Sequence, residues 1–300
     1  MNVKQVDVYV DREHRDPNSD SIDLSVFSAP SRVNYTCRGE GAPVVMIHGL
    51  AASLHDWDAL APELAATGYH ACAFDLLGHG ESAHPPHLED YTAENVFLHM
   101  AAWFGALDLR KPAVLIGHSL GGYFAFDFAL RFTSSVKGLV LVNPFYSVHQ
   151  LSSFLQLVFR RQLLNTSLIE RTPYWLFRAA IDMTSLHFGG GGDGIHILPE
   201  DVRIQTALDY KLAAPGIYNI PRTMRDLTTD LPYVSMPVLV IWGSRDQTLA
   251  PGSFPELVRL LPDAHGEIMS PCGHVPHQCH AKKFNKLVLG FLDKLKEKGQ

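Results

Sequence analysis

The chain is poor in the features that mark several protein classes. Four cysteines, Cys37, Cys72, Cys272 and Cys279, among 300 residues are too few for a disulfide-stapled scaffold, and a chain this long can bury a core without one. They read as thiols in a reducing compartment. No uncharged apolar run reaches the roughly 18 residues of a spanning helix, so no integral membrane segment is expected. The opening stretch MNVKQVDVYVDREHRDPNSD carries acids early and lacks the apolar centre of a secretory signal, which makes the cytoplasm the expected address. Basic runs are missing too. With 25 Lys+Arg against 31 Asp+Glu and a formal charge of −6, the chain offers no positive track for a phosphate backbone, so no nucleic-acid partner is expected. No internal repeat is visible, and the glycine run at 189–192 is the one low-complexity stretch. The apolar fraction of 46% is that of a globular fold.

Apolar periodicity then gives the organisation. Residues 24–28 and 32–37 alternate as half-exposed strands, and 43-PVVMIHG is a short continuous apolar run of the buried parallel type. Helix and strand patterns follow in turn: helix near 56–67, strand 69–75, helix 92–107, strand 112–117, helix 119–132 and strand 138–143. After a long gap come strand 237–243, helix 253–260, a weak strand at 265–269 and a final helix near 277–296. Buried runs separated by helices mean a mostly parallel sheet covered on both faces. The gap holds amphipathic patterns at about 150–164, 173–184 and 200–213, divided by the breakers Pro173, Gly189 to Gly194, Pro199, Pro215 and Pro221, which separate short helices rather than strands. It is too long for a loop and reads as an inserted helical cap. The expected division is an N-terminal extension at 1–22, a core at 23–145 and 229–300, and the cap at 146–228.

The sharpest chemical signal is 114-VLIGHSLGGYFAFDFAL, in which an apolar strand ends at Gly117, Ser119 follows His118, and a helix begins at once. Taken alone, such a serine reads equally well as a helix N-cap. Set between strand and helix, Gly117-His118-Ser119-Leu120-Gly121 describes a tight turn that exposes a hydroxyl at the carboxyl end of the sheet, beside the positive end of a helix dipole. A nucleophilic serine needs a base, and the base needs an orienting acid. Asp246 follows the penultimate strand and His274 follows the last one, in the chain order nucleophile, acid, histidine. A third element is 45-VMIHGLAAS, where Gly49 lets the Leu50 amide turn toward the same rim. Together with the Leu120 amide it makes two donors for a developing oxyanion. His48, Gly49, His118 and Val275 are the expected substrate contacts.

These residues, His48-Gly49, Gly117 to Gly122, Asp246 and Gly273-His274, with 75-DLLGHGES between the first two, resemble the α/β-hydrolase superfamily, in particular its cap-bearing serine esterases, over about residues 32–296. The resemblance implies an α/β fold: a mostly parallel eight-stranded sheet with strand 2 antiparallel, helices on both faces and a helical cap after strand 6. It also implies a triad of Ser119, Asp246 and His274 and an oxyanion hole from the Leu50 and Leu120 amides. The 78–82 loop supports the fold without catalytic duty. Epoxide hydrolases and haloalkane dehalogenases of the superfamily carry Asp at the elbow, which Ser119 excludes. Carbon–carbon hydrolases usually carry Trp after the histidine, where Val275 stands here. Cofactor-free haloperoxidases share the triad.

The expected activity is hydrolysis of a small to medium apolar, ester-like small molecule through an acyl-enzyme, with no cofactor and no metal. Carbon–carbon hydrolysis, perhydrolysis and a non-catalytic receptor on the same fold are the alternatives, and the oligomeric state is left open. Cys272, His274, His277, Cys279 and His280 crowd into 272–280 as soft-metal ligands would, but no second Cys/His pair answers them; His277 and His280 read as surface or rim residues. The stripe Leu151, Phe154, Leu155, Val158, Phe159 and Leu163 reads as the inner face of the cap rather than a membrane-surface helix, since only Arg160 and Arg161 flank it. Trp175 and Phe177 read as cap packing.

Overall fold

The computed structural model describes residues 4–9, 30–107, 109–160, 166–187, 195–196 and 198–297. Eight strands form one sheet: β1 (Lys4–Tyr9), β2 (Pro30–Arg38), β3 (Ala42–Ile47), β4 (Tyr69–Phe74), β5 (Ala113–His118), β6 (Val136–Val142), β7 (Val238–Gly243) and β8 (Ala264–Met269). Their order is β1-β2-β4-β3-β5-β6-β7-β8. β2 runs antiparallel to both its neighbours, and every other pairing is parallel. Lys4–Tyr9, assigned from sequence to an N-terminal extension, is instead the edge strand, with Val6 opposite Val33. Its V-x-V alternation is short and set among charges, which hides it. The strand expected at 24–28 lies outside the described residues.

The central strands read as unbroken apolar runs because both of their faces are covered. On β3, Val45 and Ile47 join one buried cluster while Val44 and Met46 join the other; on β6, Leu139 and Leu141 oppose Val140 and Val142 in the same way. Side chains alternate across a strand, so each of the two cores takes every second residue. The first cluster holds residues of α2 (Ala93–Ala106), α3 (Leu120–Arg131) and α9 (Ser253–Leu260). The second holds residues of α1 (Ala61–Ala66) and α11 (Ala281–Glu297), the latter through Phe284, Val288, Leu292 and Leu295 at i, i+4, i+8 and i+11.

Between β6 and β7 the described chain is mainly helical: α4 (Ser153–Arg160), α5 (Thr166–Arg171), α6 (Tyr174–Ser185), α7 (Glu200–Leu212) and α8 (Ile220–Thr223). A two-residue ladder, Leu186–His187 against Ile195–His196, joins them where only breakers were expected. This segment is fastened to the loops at the carboxyl edge of the sheet. The Ala214 amide donates to the Gly78 carbonyl at 2.8 Å, and Leu227 to Tyr146 at 2.9 Å. Arg225 reaches the buried Asp127 of α3 at 2.9 Å. Of the expected inner stripe, Leu151 is buried and Leu155 half-buried, whereas the side chains of Phe154, Val158 and Phe159, and Leu163 itself, lie outside the description. Trp175 does not pack inward: it is 67% exposed, because it sits on the outer face of α6 while Phe177 turns toward Tyr210. No described helix is long and apolar enough to cross a membrane.

The cysteine expectation also changes. Cys37 and Cys72 occupy opposed positions on β2 and β4, with Cα atoms 4.1 Å apart, and are joined as a disulfide. The pairing follows from β2 lying beside β4 instead of beside β3, an adjacency that no local pattern states. Cys272 and Cys279 are free, so the expectation that all four cysteines are thiols is not met.

Candidate active site

β5 delivers Ser119 into a conformation that most residues avoid, φ 51° and ψ −111°, directly before α3. Such a geometry costs about 1–3 kcal/mol and persists only where surrounding contacts impose it. Here the Ser119 amide donates to Val142 at 2.9 Å, and the Ser119 carbonyl accepts from Phe145 at 3.0 Å. The helix can begin so abruptly because Gly121 has no side chain: a Cβ there would lie 2.2 Å from the Ile47 carbonyl oxygen. Ser119 is half-buried, and Leu120, as the first helical residue, belongs to the turn whose amides have no intrahelical acceptor.

Across from the serine stands His274, on the loop after β8. Its Nε2 lies 2.9 Å from Ser119 Oγ, and its Nδ1 lies 2.7 Å from Asp246 Oδ2. A carboxylate can only accept, so Nδ1 carries the proton and Nε2 is left to accept from the hydroxyl. Asp246 follows β7 and is fixed by more than the imidazole. Its Oδ1 accepts the Thr248 and Leu249 amides at 2.7 and 3.0 Å, and its Oδ2 also accepts Asn143 Nδ2 at 2.5 Å. Burial alone would raise this carboxyl, but the neighbouring His274 and these donors hold it below the usual carboxylate range. Asn143, at the end of β6, is thus a donor to the acid.

A second buried network lies beneath the first. Asp56, 8% exposed, accepts His118 Nδ1 at 3.2 Å, Gln278 Nε2 at 2.9 Å and the Gly49 amide at 3.4 Å. His118 Nε2 in turn lies 3.0 Å from the His274 carbonyl. One carboxylate thus ties together the segment after β3, the turn after β5 and the loop after β8. Burial opposes its ionisation, yet the histidines beside it, His118 and His277, hold it well below the usual range. Gly49 is required by the same contact, since a Cβ at that position would sit 2.8 Å from His118 Nδ1.

This network corrects two expected substrate contacts. His118 is 4% exposed, with both nitrogens committed to protein acceptors, so it braces the site from below. His48 is fully buried: Nδ1 donates to the Gly49 carbonyl at 2.7 Å, and Nε2 accepts the Leu76 amide at 2.9 Å. Burial lowers its basicity further. It joins the ends of β3 and β4, with both ring nitrogens held by the backbone. His277, read as a surface or rim residue, is 3% exposed and lies between the rings of Trp57 and His118, tilted to both, because α10 (Pro276–Cys279) is a separate turn that drops it under the site. Val275 is half-buried and caps that turn through its carbonyl. Leu50 lies in the turn closed by Ala52 N to Gly49 O at 3.3 Å, followed by Ala51 at φ 60°.

Asp56, Asn143 and Gln278 are thus site residues that sequence reasoning missed. No spacing marks them, since each is recognised only through partners from distant elements.

Comparison with known proteins agrees with this architecture. A family model described as alpha/beta hydrolase fold matches residues 42–175. A bifunctional epoxide hydrolase 2 of Sus scrofa is 32% identical over 131 residues, 43% of this chain but only 23% of that protein. A 2-hydroxy-6-oxononadienedioate/2-hydroxy-6-oxononatrienedioate hydrolase of Paraburkholderia xenovorans is 27% identical over 278 residues, covering 87% of this chain and 90% of that one. Among solved structures, a thermophilic esterase from Thermogutta terrifontis superposes with a TM-score of 0.76 at 22% identity, over 97% of this chain and 99% of that one. Residues 42–175 thus match the α/β-hydrolase family, and the chain as a whole has the α/β-hydrolase fold. The relatives and structural neighbours named here are hydrolases, and what this chain shares with them along its length is the fold.

Proposed function

We propose that the protein is a serine hydrolase that cleaves carboxylic esters of small to medium apolar substrates. The observation that carries this reading is the hydrogen-bonded chain from Ser119 Oγ through His274 to Asp246, at 2.9 and 2.7 Å. In this mechanism His274 Nε2 takes the hydroxyl proton as Oγ attacks the carbonyl carbon. Asp246 stabilises the imidazolium and keeps Nε2 aimed at the reaction. The Leu50 and Leu120 amides bind the tetrahedral oxyanion. His274 then protonates the departing alcohol, leaving an acyl-enzyme, and activates the water that releases the acid. Gly49 gives the substrate room beside Ser119, and Val275 borders it next to His274. No step calls on a metal or an organic cofactor, and residues 146–228 supply the cap over the reacting groups.

The near full-length similarity to the Paraburkholderia hydrolase supports carbon–carbon cleavage as a second reading on the same three residues. The epoxide hydrolase similarity carries less weight, because the elbow here holds Ser119. A fluorophosphonate probe with a graded panel of chromogenic esters and a vinylogous diketone separates the readings. Ester cleavage with labelling that Ser119→Ala abolishes is expected. Turnover of the diketone alone would favour the second reading, and an unlabelled wild-type protein would refute both.

A further inference from the structure

The loop that carries His274 has a cysteine at each end. Cys272 is 1% exposed, and its carbonyl accepts the Arg245 amide at 2.8 Å, which holds this end of the loop against the end of β7. Cys279 closes α10, half-buried, with its amide donating to the Val275 carbonyl at 3.0 Å. The two sulfurs and an imidazole nitrogen of His280 all lie within 4.8 Å of one another. Neither thiol is used by the proposed ester chemistry, and both are free.

The pair is asymmetric in the way that thiol oxidation exploits. The hydrogen bond to Cys279, and then burial, push the Cys272 thiol up; the same bond draws the Cys279 thiol down. Accessibility points the same way: Cys272 is 1% exposed whereas Cys279 is half-buried, so Cys279 is the sulfur that a hydroperoxide can reach first. A thiolate near the surface attacks, and a neighbouring thiol resolves.

We propose that Cys279 and Cys272 form an oxidation site for hydroperoxides, with Cys279 attacking and Cys272 resolving, and that the resulting disulfide closes a ring of residues 272–279 around His274. The Cys279 sulfur attacks the terminal oxygen of ROOH, the O–O bond breaks, and ROH leaves after taking a proton. Cys279 is now a sulfenic acid. The Cys272 sulfur attacks it, the S–O bond breaks as the S–S bond forms, and hydroxide leaves as water with the Cys272 proton. The peroxide has gained the two electrons that the thiols lost. His280 is the neighbouring group that can relay the proton.

The consequence for His274 follows from distance. A disulfide requires the sulfurs to close to about 2.05 Å, which moves one end of a loop whose His274 carbonyl is bonded to His118 at 3.0 Å and whose Nε2 lies 2.9 Å from Ser119. Oxidation should therefore slow turnover. The thiol chemistry is independent of the proposed ester hydrolysis; only this effect on rate rests on that reading.

Both cysteines fall on one tryptic peptide, residues 260–282, apart from Cys37 and Cys72. The intact protein, treated with hydrogen peroxide, alkylated and digested, should yield this peptide lighter by two hydrogens and free of alkyl groups. Cys272→Ser should instead leave a sulfenic acid on Cys279 that dimedone traps, and Cys279→Ser should stop the reaction. Ester turnover should fall at least about fivefold, the scale of a displaced catalytic group, and recover with dithiothreitol, with no such fall in Cys279→Ser. Two cysteines that remain fully alkylatable after peroxide would overturn the site, and a disulfide formed without change in turnover would overturn its link to His274. Fluorophosphonate labelling of the reduced protein, run alongside, shows separately whether the serine reading holds.

Discussion

Replacing Asp209 with Asn removes a carboxyl that α7 buries against residues 53–56, next to the segment bearing Leu50. The side chain is 5% exposed. Burial pushes the carboxyl up to about 7, the Gln205 amide at 2.9 Å and Ser53 oppose the rise, and the Asp56 charge adds to it. Between the ordinary carboxylate value and about 7, the folded protein therefore holds a proton that the unfolded chain has lost. The slope of stability with pH is set by protons on the unfolded chain minus protons on the folded one, so it is negative in this window. The contribution of a neutral Asp209 is fully present below about pH 4 and lost as pH rises through 7. At ~1.4 kcal/mol per pH unit, the loss is about 4 kcal/mol. Asn has the same shape, accepts the same Gln205 bond and does not titrate. Urea unfolding of both proteins at pH 4, 5, 6, 7 and 8 isolates the effect, because other titrating groups cancel in the difference. Asp209→Asn should gain about 4 kcal/mol relative to wild type from pH 4 to 8, a midpoint shift of roughly 1 M for a slope near 3 kcal/mol/M. Parallel pH profiles for the two proteins would show that the carboxyl is ionised throughout, and the reasoning from burial would fail.

His277 and His99 titrate in the opposite sense. Burial lowers both to about 4, so the unfolded chain takes up protons first and stability falls from pH 6.5 to 4; His277→Gln should flatten that fall by a few kcal/mol in urea titrations. Asp246→Asn should cost about 10⁴ in kcat with the fold intact, since the imidazole then settles in the wrong tautomer; a rate within threefold of wild type would move the acid elsewhere. Asp56→Asn removes the charge and one of the two acceptor oxygens, so either Gln278 or the pair His118 and Gly49 faces an NH2 instead of an acceptor, and stability should drop by about 3–5 kcal/mol. Any folded fraction should show kcat reduced about tenfold or more at little-changed KM, as measured by steady-state kinetics on protein whose folding is checked by circular dichroism.

What the sequence made legible is what repeats locally. A strand with a core on each face must be apolar at every position, so β3, β5, β6 and β7 stand out, and the glycines at 117 and 121 are demanded by crowding within one turn. Ser119, Asp246 and His274 were also readable, since each follows a strand end in a fixed chain order. Contacts between elements were not. The Cys37–Cys72 link depends on β2 lying beside β4, and Asp56 gains its meaning only when the loops bearing Gly49, His118 and Gln278 close over it. Histidine was the least legible residue type: His48, His118 and His277 all lie against the site in the chain, yet their rings turn inward as bracing.

That bracing has a practical corollary. Ser119 and His274 are levelled from underneath by one acid, Asp56, which holds Gly49, His118 and Gln278. Attempts to redirect the proposed hydrolase to bulkier or more polar substrates should therefore leave that foundation, and the side of α7 that bears Asp209, alone. Position 49 cannot accept a side chain unless the ring at 118 is also changed, so those two sites can be varied only as a pair.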